Sequence, residues 1–358
     1  MKKNLFMAIT VVAVSLLLSL LLVAPVSAET IDNEAVDDDF QVGEVLPDHH
    51  LYGLERVGEI SDKFAADGPE EALIGLEIAE KRLGEINAMI EDMNPDPDRA
   101  DIVQTLAQDY QDELDELNDI KAELADEERE DVEDKVSNAM NKHYTGLEKA
   151  NLTITGLMDQ VPEEAIPGLE NATQSIQDAH EKSDETREEA LSHLEEVNPL
   201  KAAENRLAFA ETRIDNTNEL QEQGHDRHVQ DRANAYSDEM DKVMDLIDKS
   251  ADQEFDTEEL EEKVAYATLK HMDVLENISE KVPAEAQEAI ERAMNASITG
   301  HETALDNLPE QKQQEIRNYI EENHPGIKDN IRDIVNENAQ QNPSTQNIDE
   351  KPTVGGVL

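Results

Sequence analysis

Between its proline and glycine breaks, this chain repeats apolar residues at helical spacing. After Pro69, Leu76, Ala79, Leu83, Ile86 and Ile90 step by 3, 4, 3 and 4 positions, a narrow seam of the coiled-coil kind. Breaks fall at Gly68-Pro69, Asn94-Pro95-Asp96-Pro97, Pro162, Asn198-Pro199, Gly224, Pro283, Pro309 and Pro325. The segments between them predict helices.

The pattern occurs twice. Tyr110 opens Tyr-Gln-Asp-Glu-Leu-Asp-Glu-Leu-Asn-Asp-Ile and Tyr236 opens Tyr-Ser-Asp-Glu-Met-Asp-Lys-Val-Met-Asp-Leu, an offset of 236 − 110 = 126. The Leu76 seam returns as Leu207, Ala210 and Ile214 at an offset of 207 − 76 = 131, with Thr217 in place of Ile86. The run Val132, Val136, Ala139, His143 and Leu147 returns as Leu260, Val264, Ala267, His271 and Leu275, offset by 260 − 132 = 128. Val161-Pro162 then matches Val282-Pro283 at 282 − 161 = 121, so seven residues are missing from the second copy. Seven residues make two helical turns, a deletion that preserves a buried face. Pro162 and Pro283 stand where a helix start tolerates proline.

A duplicated unit of four helices follows. The predicted fold is all-α: two tandem repeats of a four-helix antiparallel bundle with coiled-coil-like seams. Several helices would be 25–30 residues long, roughly 40 Å at 1.5 Å per residue. Short proline turns favour antiparallel neighbours, hence two up-down bundles in tandem. One elongated stack sharing helices at Asn198-Pro199 is the alternative. Residues 46–197 would form the first repeat with an N-terminal docking helix, 198–308 the second, and 309–339 capping helices from about Glu310 to Asn323 and Ile327 to Asn338.

The flanks differ. Met1-Lys2-Lys3, the apolar run Leu5 to Val23 and Pro25-Val26-Ser27-Ala28 read as a signal peptide over 1–28, whose core is nearly long enough to remain as an anchor. No other stretch could cross a membrane, so the remainder is expected outside the cytoplasm. Residues 29–45 read as an acidic spacer and 340–358 as a disordered polar tail.

Charge narrows the function classes. Asp and Glu number 85 against 30 Lys and Arg, a formal net charge of −55; removing Lys2 and Lys3 with the signal gives −55 − 2 = −57. Such a chain repels nucleic acid and anionic lipid. The acids are spread over every segment, which suits a solvated surface in high salt, where screening acts over a few Å. Cysteine and tryptophan are absent and aromatics make up 3%, so disulfides and thiolate metal sites are excluded and the core must be aliphatic. A pocket walled by aromatic rings is not expected.

One segment resembles a known family. Leu46-Pro47-Asp48-His49-His50-Leu51-Tyr52-Gly53-Leu54-Glu55-Arg56, followed by Ile78-Ala79-Glu80-Lys81-Arg82-Leu83, is similar to an exported helical domain-of-unknown-function family of archaea and bacteria. That family's signature reads Leu-Pro-Asp-Ser-Pro-Leu-Tyr-x-Leu-Lys-Arg, then Ala-Glu-x-Arg-Leu. Here His49-His50 replace Ser-Pro and Glu55 replaces Lys. The resemblance covers Leu46 to about Glu91, implies export and helicity, and supplies no site. The second copy keeps Ala210-Glu211-Thr212-Arg213-Ile214 only. Read physically, Asp48 would cap a helix through Leu51, Leu54, Val57 and Ile60, with Leu51 and Tyr52 packing onto the first bundle.

Candidate chemistry is sparse. His143 and His271 share a seam position, where an inward histidine is a pH sensor, a metal ligand or a hydrogen-bonded core side chain; the last is expected. Asp112, Asp115 and Asp119 lie on one helix face with Glu113 beside them, and Asp238, Asp241 and Asp245 repeat them. They are the best candidates for weak divalent-cation binding, against a plain solvated face. Asn94, Asp96 and Asp98 begin like a calcium loop, but Arg99 replaces its glycine and Thr105 its final Glu. Glu222/His225 and Glu321/His324 have di-iron spacing but lie beside Gly224 and Pro325. Asn151, Asn171, Asn277 and Asn295 open glycosylation sequons, with Asn171 and Asn295 in corresponding fourth helices. Zincin, nucleophile-elbow and phosphate-loop motifs are absent, so neither catalysis nor a cofactor is expected. The expected function is a non-enzymatic, exported acidic scaffold or binding protein of the cell envelope or exterior, adapted to salt, with protein or envelope components as partners. The alternative is a divalent-cation-binding envelope protein.

Overall fold

The computed structural model describes residues 46–49, 52–91, 93, 99–158, 160–215, 217–222 and 224–323. The expected signal, the acidic spacer, Leu51, Asn94, Asp96, Asp98, His324, the second capping helix and the tail lie outside these residues. Among the described residues the structure is helical, without strands. Helix α1 spans Tyr52–Ala65, α2 Pro69–Glu91, α3 Arg99–Glu123, α4 Asp126–Met158 and, after a 3₁₀ turn at Glu163–Ala165, α5 Ile166–Val197. The chain continues through α6 Pro199–Asp215, the short α7 Thr217–Glu222, α8 Asp226–Asp252, α9 Glu258–Ser279, α10 Ala284–Asn307 and α11 Glu310–Asn323.

Helices α2 to α5 form one four-helix bundle; α6, α8, α9 and α10 form its repeat. The order within a bundle differs from simple up-down neighbours. Helix α2 packs on α3 and α4, and α5 packs on the same two, so the consecutive helices α3 and α4 lie across a diagonal. Gln111 reaches Ser175 and Asn118 reaches Thr186, which sets α3 and α5 parallel. Proline turns do join neighbours; the proline-free link at Leu124-Ala125 joins the diagonal pair. The second bundle repeats this order.

The cores are aliphatic, as a chain poor in aromatics requires. Leu83, Ile86, Leu114, Leu117, Val136 and Ile176 are fully buried in the first, and Ile214, Val243, Ile247, Val264, Leu275 and Ile290 in the second. Each such side chain stabilises by roughly 1.5–3 kcal/mol. Helix α5 serves both: Ala190 packs in the first core and Leu194 in the second.

The length difference between repeats is larger than the proline match implies. Buried Ser183 and Ser297 are equivalent, as are Ala190 and Ala304, at an offset of 297 − 183 = 114. The offset thus falls from 128 to 121 along α4 and α9, then to 114 along α5 and α10. Each arm of the second hairpin is two turns shorter. Trimming both arms equally keeps every remaining pair in register, which a deletion in one arm would not. At this register Asn171 and Asn295 are not equivalent positions, although both lie on the fourth helix of their repeat.

Helix α1 inverts the expected packing. Leu54, Val57, Ile60 and Phe64 are exposed, Phe64 to 91%. The polar face meets the bundle instead: Lys81 pairs with Glu55 and Glu59, Arg56 with Asp109 at 3.1 Å, and Lys63 with Glu113 at 2.6 Å and Glu116 at 2.8 Å. Lys63 passes over Gly75, where a Cβ would sit 3.6 Å from its Nζ. Asp48 pairs with Arg99 of α3 at 3.0 Å. Tyr52 packs against the first core, as its motif suggests.

The repeats stack face to end. Ile78 and Arg82 on α2 correspond to Phe209 and Arg213 on α6 (209 − 78 = 213 − 82 = 131). This face is covered by α1 in the first repeat and by the first repeat itself, through α4 and α5, in the second. At the far end α11 packs on α9, burying Ile316 and Ile320 in the second core. The unit is a short capped array, closer to the elongated stack than to two independent bundles.

Candidate functional site

The acidic ladder is a solvated face. Asp112, Asp115, Asp119, Asp238, Asp241 and Asp245 are all exposed. Lys182 sits on Asp115 and Gln108 donates to Asp112 at 2.9 Å. Burial, then Asp238 and Asp245, raises the Asp241 pKa, a mark of crowded like charges. Among the described residues no group of three or more His, Asp or Glu is placed to hold a metal ion. Glu222 ends α7 while His225 precedes α8, so that pair shares no helix. Asn171, Asn277 and Asn295 are exposed and Asn151 is half-buried, all four on helices.

His143 and His271 are core residues bound to the repeat's marker tyrosines. Tyr110 Oη lies 3.0 Å from His143 Nδ1 and Tyr236 Oη 2.9 Å from His271 Nδ1, each pair spanning a bundle diagonal. Ser297 Oγ joins the second pair at 2.7 Å from Tyr236 Oη. Burial, with Lys142 or Lys270 nearby, pushes both histidines down to about 3, so both are neutral at ordinary pH. All four side chains are fully enclosed, so no solute reaches them. The pairs fix the diagonal distance of each bundle.

Five buried arginines went unread in the sequence. Arg82 is fully buried and donates to Tyr52 Oη at 2.8 Å; it also pairs with Glu59 and Glu85. Tyr52 Oη in turn donates to Glu85 at 2.8 Å. The Leu-Tyr segment and the Ala-Glu-x-Arg-Leu helix are therefore two halves of one buried contact. The other four close the junction between repeats. Arg206 reaches Glu239 at 2.8 Å, Glu195 at 2.7 Å and Glu188 at 3.1 Å; Arg187 reaches Glu239 at 3.4 Å. Arg232 pairs with Glu148, whose carboxyl burial would raise but His228 and Arg232 hold at about 2. Phe209 lies between Arg187, 3.6 Å above its ring, and Arg213 at 4.2 Å. The signal available in the sequence was charge at apolar register: Arg232 aligns with Leu106 and Lys121 with Ile247 at the 126 offset.

Lys121 stands apart from these pairs. It is 2% exposed, and its Nζ has no hydrogen-bond partner. It lines a cleft of 660 Å³ between α3, α4 and α5, together with Asn118, Arg129, Glu185, Glu189 and His193. Burial lowers its pKa to about 8, against the opposing pull of Glu133 and Glu189. Beside it, Glu133 accepts from Arg129 at 2.8 Å and lies against His193 Nδ1.

Residues 44–203 match DUF5667, a domain of unknown function. The matched span holds α1, the first bundle, the Tyr52–Arg82 contact and the Lys121 cleft; the second repeat beyond Ala203 lies outside it. No curated protein matches the chain. A solved structure titled "Computational Design of Self-Assembling Cyclic Protein Homooligomers" is 13% identical over 72% of this chain and 96% of its own, with a TM-score of 0.34.

Proposed function

We propose that this chain is an exported, non-enzymatic acidic scaffold of the cell envelope or exterior, suited to high salt. One observation carries the reading: the two bundles are joined through buried ion pairs into a single capped array. Arg187, Arg206 and Glu239 contribute across the junction, and broken pairs there would leave buried charge uncompensated. Long aliphatic bundles with sealed polar pairs suit a rigid element that holds position. Exposed acids over every helix suit hydration and screening by salt. The cation-binding alternative has less support, because the duplicated aspartates are exposed and solvated. Export rests on the apolar Leu5 to Val23 run and the Ala28 cleavage pattern.

The experiment is thermal unfolding of residues 29–358, followed by circular dichroism, in sodium chloride and in calcium chloride at matched ionic strength. The scaffold reading expects the same Tm in both. A saturable rise with calcium alone would overturn it in favour of the alternative.

A further inference from the structure

We propose that the cleft between α3, α4 and α5 of the first repeat binds a small zwitterion, its carboxylate on Lys121 Nζ and its ammonium toward Asn118 Oδ1 and the rim acids. Three buried polar atoms of the cleft's lining residues have no hydrogen-bond partner: Lys121 Nζ, a donor, Asn118 Oδ1, an acceptor, and His193 Nδ1, which lies against the Glu133 carboxylate. Lys121 and Asn118 are three residues apart on α3 and therefore on one face. Asn118 spends its amide on Thr186 Oγ1 at 3.1 Å, which fixes the side chain and leaves its oxygen unpaired. An unpaired buried ammonium beside an unpaired buried carbonyl is costly in an empty site and complementary to a ligand carrying both charges.

The mouth decides against a simple anion. Glu185, Glu189 and Glu196 are exposed lining residues of the cleft and repel a lone carboxylate while accepting an ammonium. Arg129 does not compete for the ligand, since its Nε donates to Glu133 at 2.8 Å. At 660 Å³ the space fits a small polar molecule.

The second repeat provides the internal control. At equivalent positions it carries Met244 for Asn118 and Ile247 for Lys121 (offset 126), and Thr299 and Thr303 for Glu185 and Glu189 (offset 114). Both inner groups and two of the three rim acids are replaced there, while the core register is kept. The site therefore belongs to the part of the chain that matches the domain of unknown function, and it is independent of the scaffold reading.

The test uses residues 29–358 with ¹³C-labelled lysine. Glycine, 4-aminobutanoate, acetate and ethylamine are titrated separately, and the Lys121 Cε signal is followed. The expected result is a saturable shift with at least one zwitterion, at least about tenfold tighter than with acetate or ethylamine. Lys121→Ile and Asn118→Met, each installing the second repeat's residue, should lose that binding by about tenfold or more in calorimetry while keeping wild-type helicity. No saturable shift with either zwitterion in the wild-type chain overturns the proposal. So does equal binding of acetate or of ethylamine, or binding that survives both substitutions.

Discussion

The two repeats place the same arginine under different covers. Arg82 is buried by α1, through Tyr52 and Glu59, whereas its equivalent Arg213 is buried by the preceding repeat, through Tyr144 at 3.1 Å. In both, the first helix of the bundle presents one large side chain and one arginine to whatever stands before it. The first repeat meets a single helix and the second meets a whole bundle. This explains why the Leu-Tyr segment occurs once: it caps the first-helix face at the start of the array, and the same face of the second repeat is already covered by the first repeat. It also explains why α1 shows its apolar stripe to solvent. Its binding face is set by Arg82 and Lys81 of the bundle, which demand carboxylates and a hydroxyl rather than leucines.

The comparison can be broken most sharply at the junction. Glu239→Gln leaves Arg206 and Arg187 short of a buried counter-charge and should destabilise by about 3–5 kcal/mol. Urea unfolding monitored by circular dichroism measures it; a loss below about 1 kcal/mol would show that the arginines are served by Glu188 and Glu195 alone. At Lys121 the repeats differ in the opposite sense. Its folded pKa of about 8 lies below the unfolded value, so its cost is fully present below pH 8 and is relieved as pH rises toward 10.5. Lys121→Ile, which copies Ile247, should therefore stabilise at pH 7 by about 3 kcal/mol at most, a gain that shrinks above pH 8.

Where the repeats agree, their effects should add. The unfolded chain binds a proton at each of His143 and His271 near pH 6.5, while the folded chain resists down to about pH 3. Stability therefore falls as pH falls below 6.5, by about 2 kcal/mol per histidine at pH 5. His180 and His301, also lowered by burial, add to the same slope. The double variant His143→Asn, His271→Asn should remove the share of this dependence due to that pair, and each single variant half of that share. The smallest effect belongs to α1: Val57→Ser and Phe64→Ser should each stay within about 0.5 kcal/mol, because both side chains are already in water. A larger loss would mean that the apolar stripe, rather than the Arg82 side, holds the helix.

Much of the fold was legible because helical periodicity and duplication are written in apolar residues. The Leu76 seam, the Tyr110 and Tyr236 markers and the shared histidine position all belong to observed core elements. The diagonal order was not legible, since a two-residue link at Leu124-Ala125 carries no record of which neighbour its helices choose. The packing of α1 was misread because a period of 3.6 in Leu54, Val57 and Ile60 normally marks a buried face; here ion pairing to Lys81 and Arg82 overrides it. Lys121 and the junction arginines were hidden in a chain so acidic that isolated basic residues read as surface charge. Only after alignment of the repeats do Lys121 opposite Ile247 and Arg232 opposite Leu106 stand out as charges at core positions.

The central claim is that covered first-helix faces make the two repeats one cooperative body. Differential scanning calorimetry of residues 29–358 in high salt tests it most directly. A single transition whose calorimetric and van't Hoff enthalpies agree is the predicted result. Two resolved transitions in the wild-type chain would contradict the account.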